Sequence, residues 1–178
     1  MAAANGSGSG KAEDPLRFDV GSILSDGHPT HVTRTGPVGS RIGLPMIGIE
    51  PGTEVTLDAQ LVPLGDGLMV DATVTAPLHG QCSRCLDDLN SNCEFRINEV
   101  FAATEDFIGG EEAEDGDEVP SLDRDQLDLT QTLIDAAGLS LPFNPTCEDY
   151  DLPCNNEVTP DEPEDLIDPR WAGLEKFQ

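Results

Sequence analysis

Lysine is all but missing from this chain, which carries only Lys11 and Lys176. Seven scattered arginines bring the bases to nine, against 35 acids, for a formal net charge of −26. A chain so negative repels phosphate backbones and favours basic partners. A general acidic bias, or adaptation to salt, accounts for the same surplus. Aromatics are scarce too, at 4% of residues with one Trp and one Tyr. Gripping RNA directly takes clustered bases or aromatics stacked on a sheet, so binding to naked RNA is not expected. No apolar run approaches the roughly 20 residues of a membrane helix. Ser22, Ser25 and Ser40 lack the Gly-x-Ser-x-Gly elbow of a nucleophile. No apolar pocket singles out a working pair of carboxylates, and no internal repeat is visible. The expectation is a protein that is not an enzyme and does not meet the membrane.

With 37% hydrophobic residues in 178, the chain can form one core but not from its whole length. Residues 1–14 are Ala/Gly/Ser-rich, with no hydrophobic segment of a secretory signal, and read as a disordered tail. The expected location is therefore the cytoplasm, where thiols stay reduced. Residues 15–154 read as a single domain, and 155–178 as an acidic tail with a short C-terminal helix.

Within the domain, Leu16, Phe18 and Val20 begin a strand-like stretch. Residues 25–51 read as loop, with short extended pieces around Val32 and at 47–49. Val55, Leu57, Ala59 and Leu61 alternate with polar residues, and Leu68, Val70, Ala72, Val74 and Ala76 do the same beyond Gly65-Asp66-Gly67. Two such runs across a short glycine loop predict an antiparallel hairpin with one wet face. Pro77 is expected to end regular pairing. A third run carries Cys93, Phe95 and Ile97 on one parity, which makes Cys93 a small buried residue rather than a ligand. The acidic segment 105–125 predicts a mobile loop. Its Glu111, Glu112, Glu114, Asp115, Asp117 and Glu118 are candidate contacts for a basic partner. A helix is predicted over 128–137, capped by Asp128 with Gln131 and stopped by Gly138. The expected class is β-rich α+β: an antiparallel sheet or partly open barrel, then one main helix and a cysteine-bearing loop. Near the end, Asp168 and Pro169 can start a short helix, and Trp171, Leu174 and Phe177 recur every three residues. That face either docks back on the domain or, through Trp171, meets a partner.

Five cysteines, an odd number, argue against a disulfide framework. Cys82-Ser83-Arg84-Cys85 is a knuckle that can hold a metal from one tight turn, and Arg84 favours its thiolates. Cys147 and Cys154 form a wider second pair, with His79 as a substitute should Cys154 fail to reach. Four such ligands suit a structural zinc ion at about 2.3 Å from each sulfur. A redox dithiol at Cys82 and Cys85, unliganded buried thiols and a disulfide are the competing readings. His28 and His31, alone in a Gly/Pro/Thr loop, read as surface residues.

Three stretches together resemble the bacterial YceD-like family, the large-ribosomal-subunit RNA accumulation proteins. They are the hairpin entering Cys82-Ser83-Arg84-Cys85-Leu86; Leu127-Asp128-Leu129 with Ala137-Gly138-Leu139-Ser140-Leu141-Pro142; and Pro145-Thr146-Cys147 with Cys154. Asp168-Pro169-Arg170 with Leu174 is similar to the tail of actinobacterial members. The resemblance implies a non-enzymatic role in accumulation or processing of large-subunit (23S) ribosomal RNA. It also points to a basic large-subunit ribosomal protein, or a pre-ribosomal particle, as partner. An acidic mimic of nucleic acid is a further reading of the charge.

Overall fold

A computed structural model of the chain describes residues 14–104, 107 and 119–154. Its framework is the alternation of the sequence made solid. Strand β5 (Glu54–Leu64) turns at Gly65 and Asp66 into β6 (Gly67–Gln81), which pairs along its whole length with β7 (Asp88–Ala102). Every second residue faces inward: Val55, Leu57, Ala59 and Leu61 from β5, then Leu68, Val70, Ala72, Val74, Ala76 and Leu78 from β6. From β7 come Leu89, Phe95, Ile97 and Phe101. The other face carries Asp58, Asp71 and Glu94. Strand β2 (Thr30–Pro37) pairs with β5 at one edge. The short hairpin of β3 (Ile42–Leu44) and β4 (Ile47–Ile49) joins β6 at His79 and Gly80. The six strands form an open antiparallel sheet that does not close into a barrel.

The inward face is covered by a second layer. Strand β1 (Arg17–Asp19) pairs with β8 (Gln126–Asp128), and helix α1 (Gly21–Asp26) follows β1 directly. Helix α2 (Thr130–Ser140) packs on β3 and β7 through Leu133 and Ala137. Leu16, Phe18, Val20, Leu127 and Leu129 complete one continuous core. Burial at roughly 25 cal/mol per Å² drives this closure, mostly through aliphatic side chains, joined by Phe18, Phe95 and Phe101.

Four expectations are corrected. Pro77 does not end pairing; it sits opposite Asn92 inside the β6–β7 ladder. By strand alternation its nitrogen points the same way as the Gln81 amide, which donates to Met46 O at 3.0 Å. On that side the β5 register stops at Thr75 and β4 begins at His79, so proline's missing donor falls in a gap. Gly138 does not stop α2. The helix runs on to Ser140, and Pro142 forces Leu141 into extended backbone (φ −84°, ψ 141°). Gln131 does not reach back to cap; its side chain bonds Asp135, while Asp128 Oδ1 accepts from the Thr130 amide at 2.9 Å. In residues 25–51 the extended pieces expected around Val32 and at 47–49 fall in β2 and β4, but the rest of β2, β3 and the end of α1 stand where loop was expected, because partner strands supply order that no local pattern encodes.

The end of the acidic segment is built in. Leu122 is buried, its amide donates to Ala102 O, and Asp125 O accepts from Val20 N. Glu111, Glu112, Glu114, Asp115, Asp117, Glu118 and Trp171 lie outside the described residues.

Candidate metal centre

Cys82 reaches the interior by strand parity. It continues the inward series of β6 past Leu78 and Gly80 and is fully buried. Gly80 has no side chain for a reason: a Cβ there would lie 2.5 Å from Met46 O and 2.8 Å from Ile47 Cβ. The knuckle is the tip of the β6–β7 hairpin, one step beyond the last pair, Gln81 with Asp88. Leu86 closes it in the left-handed region (φ 63°), donating to Cys82 O at 3.0 Å, while the Cys82 amide donates to Asp87 O at 2.9 Å.

Cys147 arrives from the other layer. Thr146 and Asp149 form a reciprocal cap at the start of a short 3-10 turn, η1 (Cys147–Tyr150). Asp151 then adopts left-handed backbone (φ 54°), and Leu152 N donates to Cys147 O at 2.8 Å. This tight turn folds up the six-residue spacer and returns Cys154 to Cys147. Ser83 N donates to Pro145 O at 2.7 Å and Arg84 reaches Glu148 at 3.5 Å, and both contacts join the pieces.

The four sulfurs of Cys82, Cys85, Cys147 and Cys154 consequently lie within 4.8 Å of one another. Cys85 Sγ and Cys147 Sγ are 3.5 Å apart, and all five cysteines are free thiols. Sulfurs around a tetrahedral ion at about 2.3 Å are about 3.8 Å apart, a value these two distances bracket. The donor set is all sulfur, suited to a thiophilic cation. Cys82 and Cys147 are buried, Cys85 is half-buried and Cys154 is exposed, so the cluster sits at the surface with one open side.

Electrostatics differ from thiol to thiol. The Cys85 amide, aided against burial by the amides of Arg84 and Cys147, pulls the Cys82 thiol down to about 6. The Arg84 amide lies 3.4 Å from its sulfur. Burial pushes Cys147 far up, and the neighbouring sulfurs push it further. At Cys85 the Asp87 amide pulls down, but burial and the adjacent Cys82 sulfur win and raise it. Two reluctant thiols, Cys85 and Cys147, beside one ready thiolate make a cluster whose shared charge calls for a cation.

His79 is not in the cluster; its Nδ1 lies 2.7 Å from Asn90 Oδ1 across the strands, and it is exposed. Cys93 stands apart as well, half-buried rather than fully buried, with burial raising its thiol. His28 is exposed, and so is His31, whose Nε2 meets Asp58 Oδ1 at 2.8 Å. That the knuckle amides donate to the sulfurs follows from the Cys-x-x-Cys turn itself, but the contributions of Ser83 and Pro145 were not read from the sequence, since main-chain atoms carry no residue signature.

The site and frame define a β-rich α+β protein with four clustered thiols between sheet and C-terminal loop. Residues 70–178 match the family described as "Large ribosomal RNA subunit accumulation protein YceD", and the chain belongs to that family. It is similar to an uncharacterized protein of Mycobacterium leprae, 33% identical over 168 residues covering 90% of this chain and 76% of the relative. Uncharacterized proteins of Mycobacterium tuberculosis and Mycobacterium bovis are 35% identical over 143 residues, covering 76% of this chain and 67% of theirs. No solved structure matches the chain. No helix among the described residues is long and apolar enough to cross a membrane.

Proposed function

We propose that this protein is a non-enzymatic, cytoplasmic factor in ribosome biogenesis that supports accumulation and processing of large-subunit ribosomal RNA. Membership of the YceD family carries this reading. The charge of −26 sets the mode: contact with a basic large-subunit ribosomal protein, or with a particle displaying one, rather than a grip on naked RNA. Glu111, Glu112, Glu114, Asp115, Asp117 and Glu118 are the proposed contacts. On the sheet's open face, Asp58, Asp71 and Glu94 stand among threonines and beside Arg96, not in a dense row, which disfavours a mimic of nucleic acid.

Cys82, Cys85, Cys147 and Cys154 hold one structural zinc in this reading, supported by their mutual distances. Four protein ligands leave no position for a substrate, as structural sites do. The lowered thiol of Cys82 is the observation on the side of redox chemistry. Against it stand the raised thiols beside it and a knuckle in a hairpin turn rather than at a helix start.

The test is affinity purification of the full chain without chelator, with elemental analysis and identification of co-purifying molecules. One zinc per chain and a basic large-subunit protein, released as salt rises, are expected. Recovery of naked ribosomal RNA without any basic ribosomal protein overturns the partner reading; metal-free, folded protein overturns the zinc.

A further inference from the structure

A groove of about 630 Å³ runs between β7 and α2. Ala136 and Leu139 give it an accessible apolar wall over the buried Ile97 and Phe101; Glu99 and Asp135 add carboxylates and Arg96 a base. Leu139 is 91% exposed, an unusual state for a leucine on a helix whose other face is core. A second cavity of about 370 Å³, lined by Leu78, Cys93, Pro142 and Tyr150, shares Ser140 with the first and extends the groove to η1. Among the described residues, the edge of β7 beside this groove has no strand partner beyond the bridge of Ala102 to Ser121. Apolar surface along an open strand edge is a feature proteins keep covered.

The described chain ends at Cys154, four residues past Tyr150 and so at the η1 end of this groove. Residues 155–178 continue from that point. Fully extended they span roughly 80 Å, against about 30 Å for the stretch of β7 from Asn92 to Phe101. Their last part has the matching chemistry: Trp171, Leu174 and Phe177 for the walls, Arg170 and Lys176 for Glu99 and Asp135. The family match also runs from β6 through α2 and the cysteines to residue 178, while omitting the first 69 residues.

We propose that residues 168–178 dock into the groove between β7 and α2 of their own chain, with Trp171 against Leu139. The match in chemistry and reach favours this over the partner-binding role for Trp171. Trp171 is the only tryptophan, so its fluorescence reports this segment alone. In the full-length native protein its emission lies to the blue of the denatured chain, and acrylamide quenches it several-fold less. Leu139→Asp abolishes that protection without lowering the melting temperature, because Leu139 is almost fully exposed among the described residues. Leu64→Asp, at an exposed apolar position outside the groove, retains it. Native emission equal to that of the denatured chain, or protection that survives Leu139→Asp, overturns the proposal. So does protection lost on dilution together with a fall to monomer mass in sedimentation, which assigns the cover to a second copy.

Discussion

The cysteines show how much one position decides. Cys82 is an inward residue of a strand, and its thiol is the one poised to be a thiolate. Cys154 is exposed and ends the described chain. Both belong to the proposed donor set, so the expected outcome is that Cys82→Ser and Cys154→Ser both lose stoichiometric zinc. The two differ in the fold: Cys82→Ser also places a hydroxyl in the core and lowers the melting temperature further. Cys93→Ser keeps full metal content. Elemental analysis and thermal melts of the three variants check this order, and equal zinc in all three variants overturns the donor set. The sequence named the four thiols from their spacing and set Cys93 apart by its parity. It could not show that His79 is engaged by Asn90, because that contact depends on the β6–β7 register.

At the scale of elements, α2 begins where β8 ends, and Asp128 serves both. It receives the Thr130 amide and pairs with Arg17, with Arg17 Nε at 3.0 Å. Its partial burial works against the charge, but the Thr130 hydroxyl and amide and then Arg17 hold its carboxyl below the ordinary 3.8. A carboxyl depressed on folding stabilises above its unfolded pKa, and that contribution is lost as pH falls through the folded value. Asp128→Asn keeps a capping side chain and removes the charge. It should cost roughly 0.5 kcal/mol at neutral pH, discounted for a half-exposed pair, and nothing once the wild-type carboxyl is protonated. Paired melts across acid pH check the convergence; a constant difference down to low pH assigns the effect to packing. The strands β5, β6 and β7 were legible because one face is buried and the other wet. α1 and most of β2 were not: a six-residue helix falls short of two turns and shows no repeat, and β2 is an edge strand whose Thr30, Val32 and Arg34 are only half-buried.

Across the whole molecule, the cluster joins the tip of the longest hairpin to the loop that follows α2. Contacts there among the described residues include Ser83 to Pro145, Arg84 to Glu148 and the sulfurs themselves. A structural zinc contributes on the order of 10 kcal/mol to small domains, more than those contacts can replace. On the proposed zinc reading, a strong chelator should expose the amides of Leu152 and Ser83 to hydrogen exchange first, leaving the centre of β6 protected. Readdition of zinc should restore protection. Exchange that rises equally in β6 and in η1 identifies the metal with global folding instead.

The sequence by itself determined the parity of three long strands, the α+β class, the family and the four thiols, because alternation and short-range spacing are written residue by residue. Only the tertiary structure decided that Pro77 fits a gap between two partner strands and that Pro142, not Gly138, ends α2. It alone brought a six-residue spacer around η1 to close the cluster. Those outcomes rest on main-chain hydrogen bonds and close approaches between segments distant in the chain, and such contacts exist only once both partners are in place.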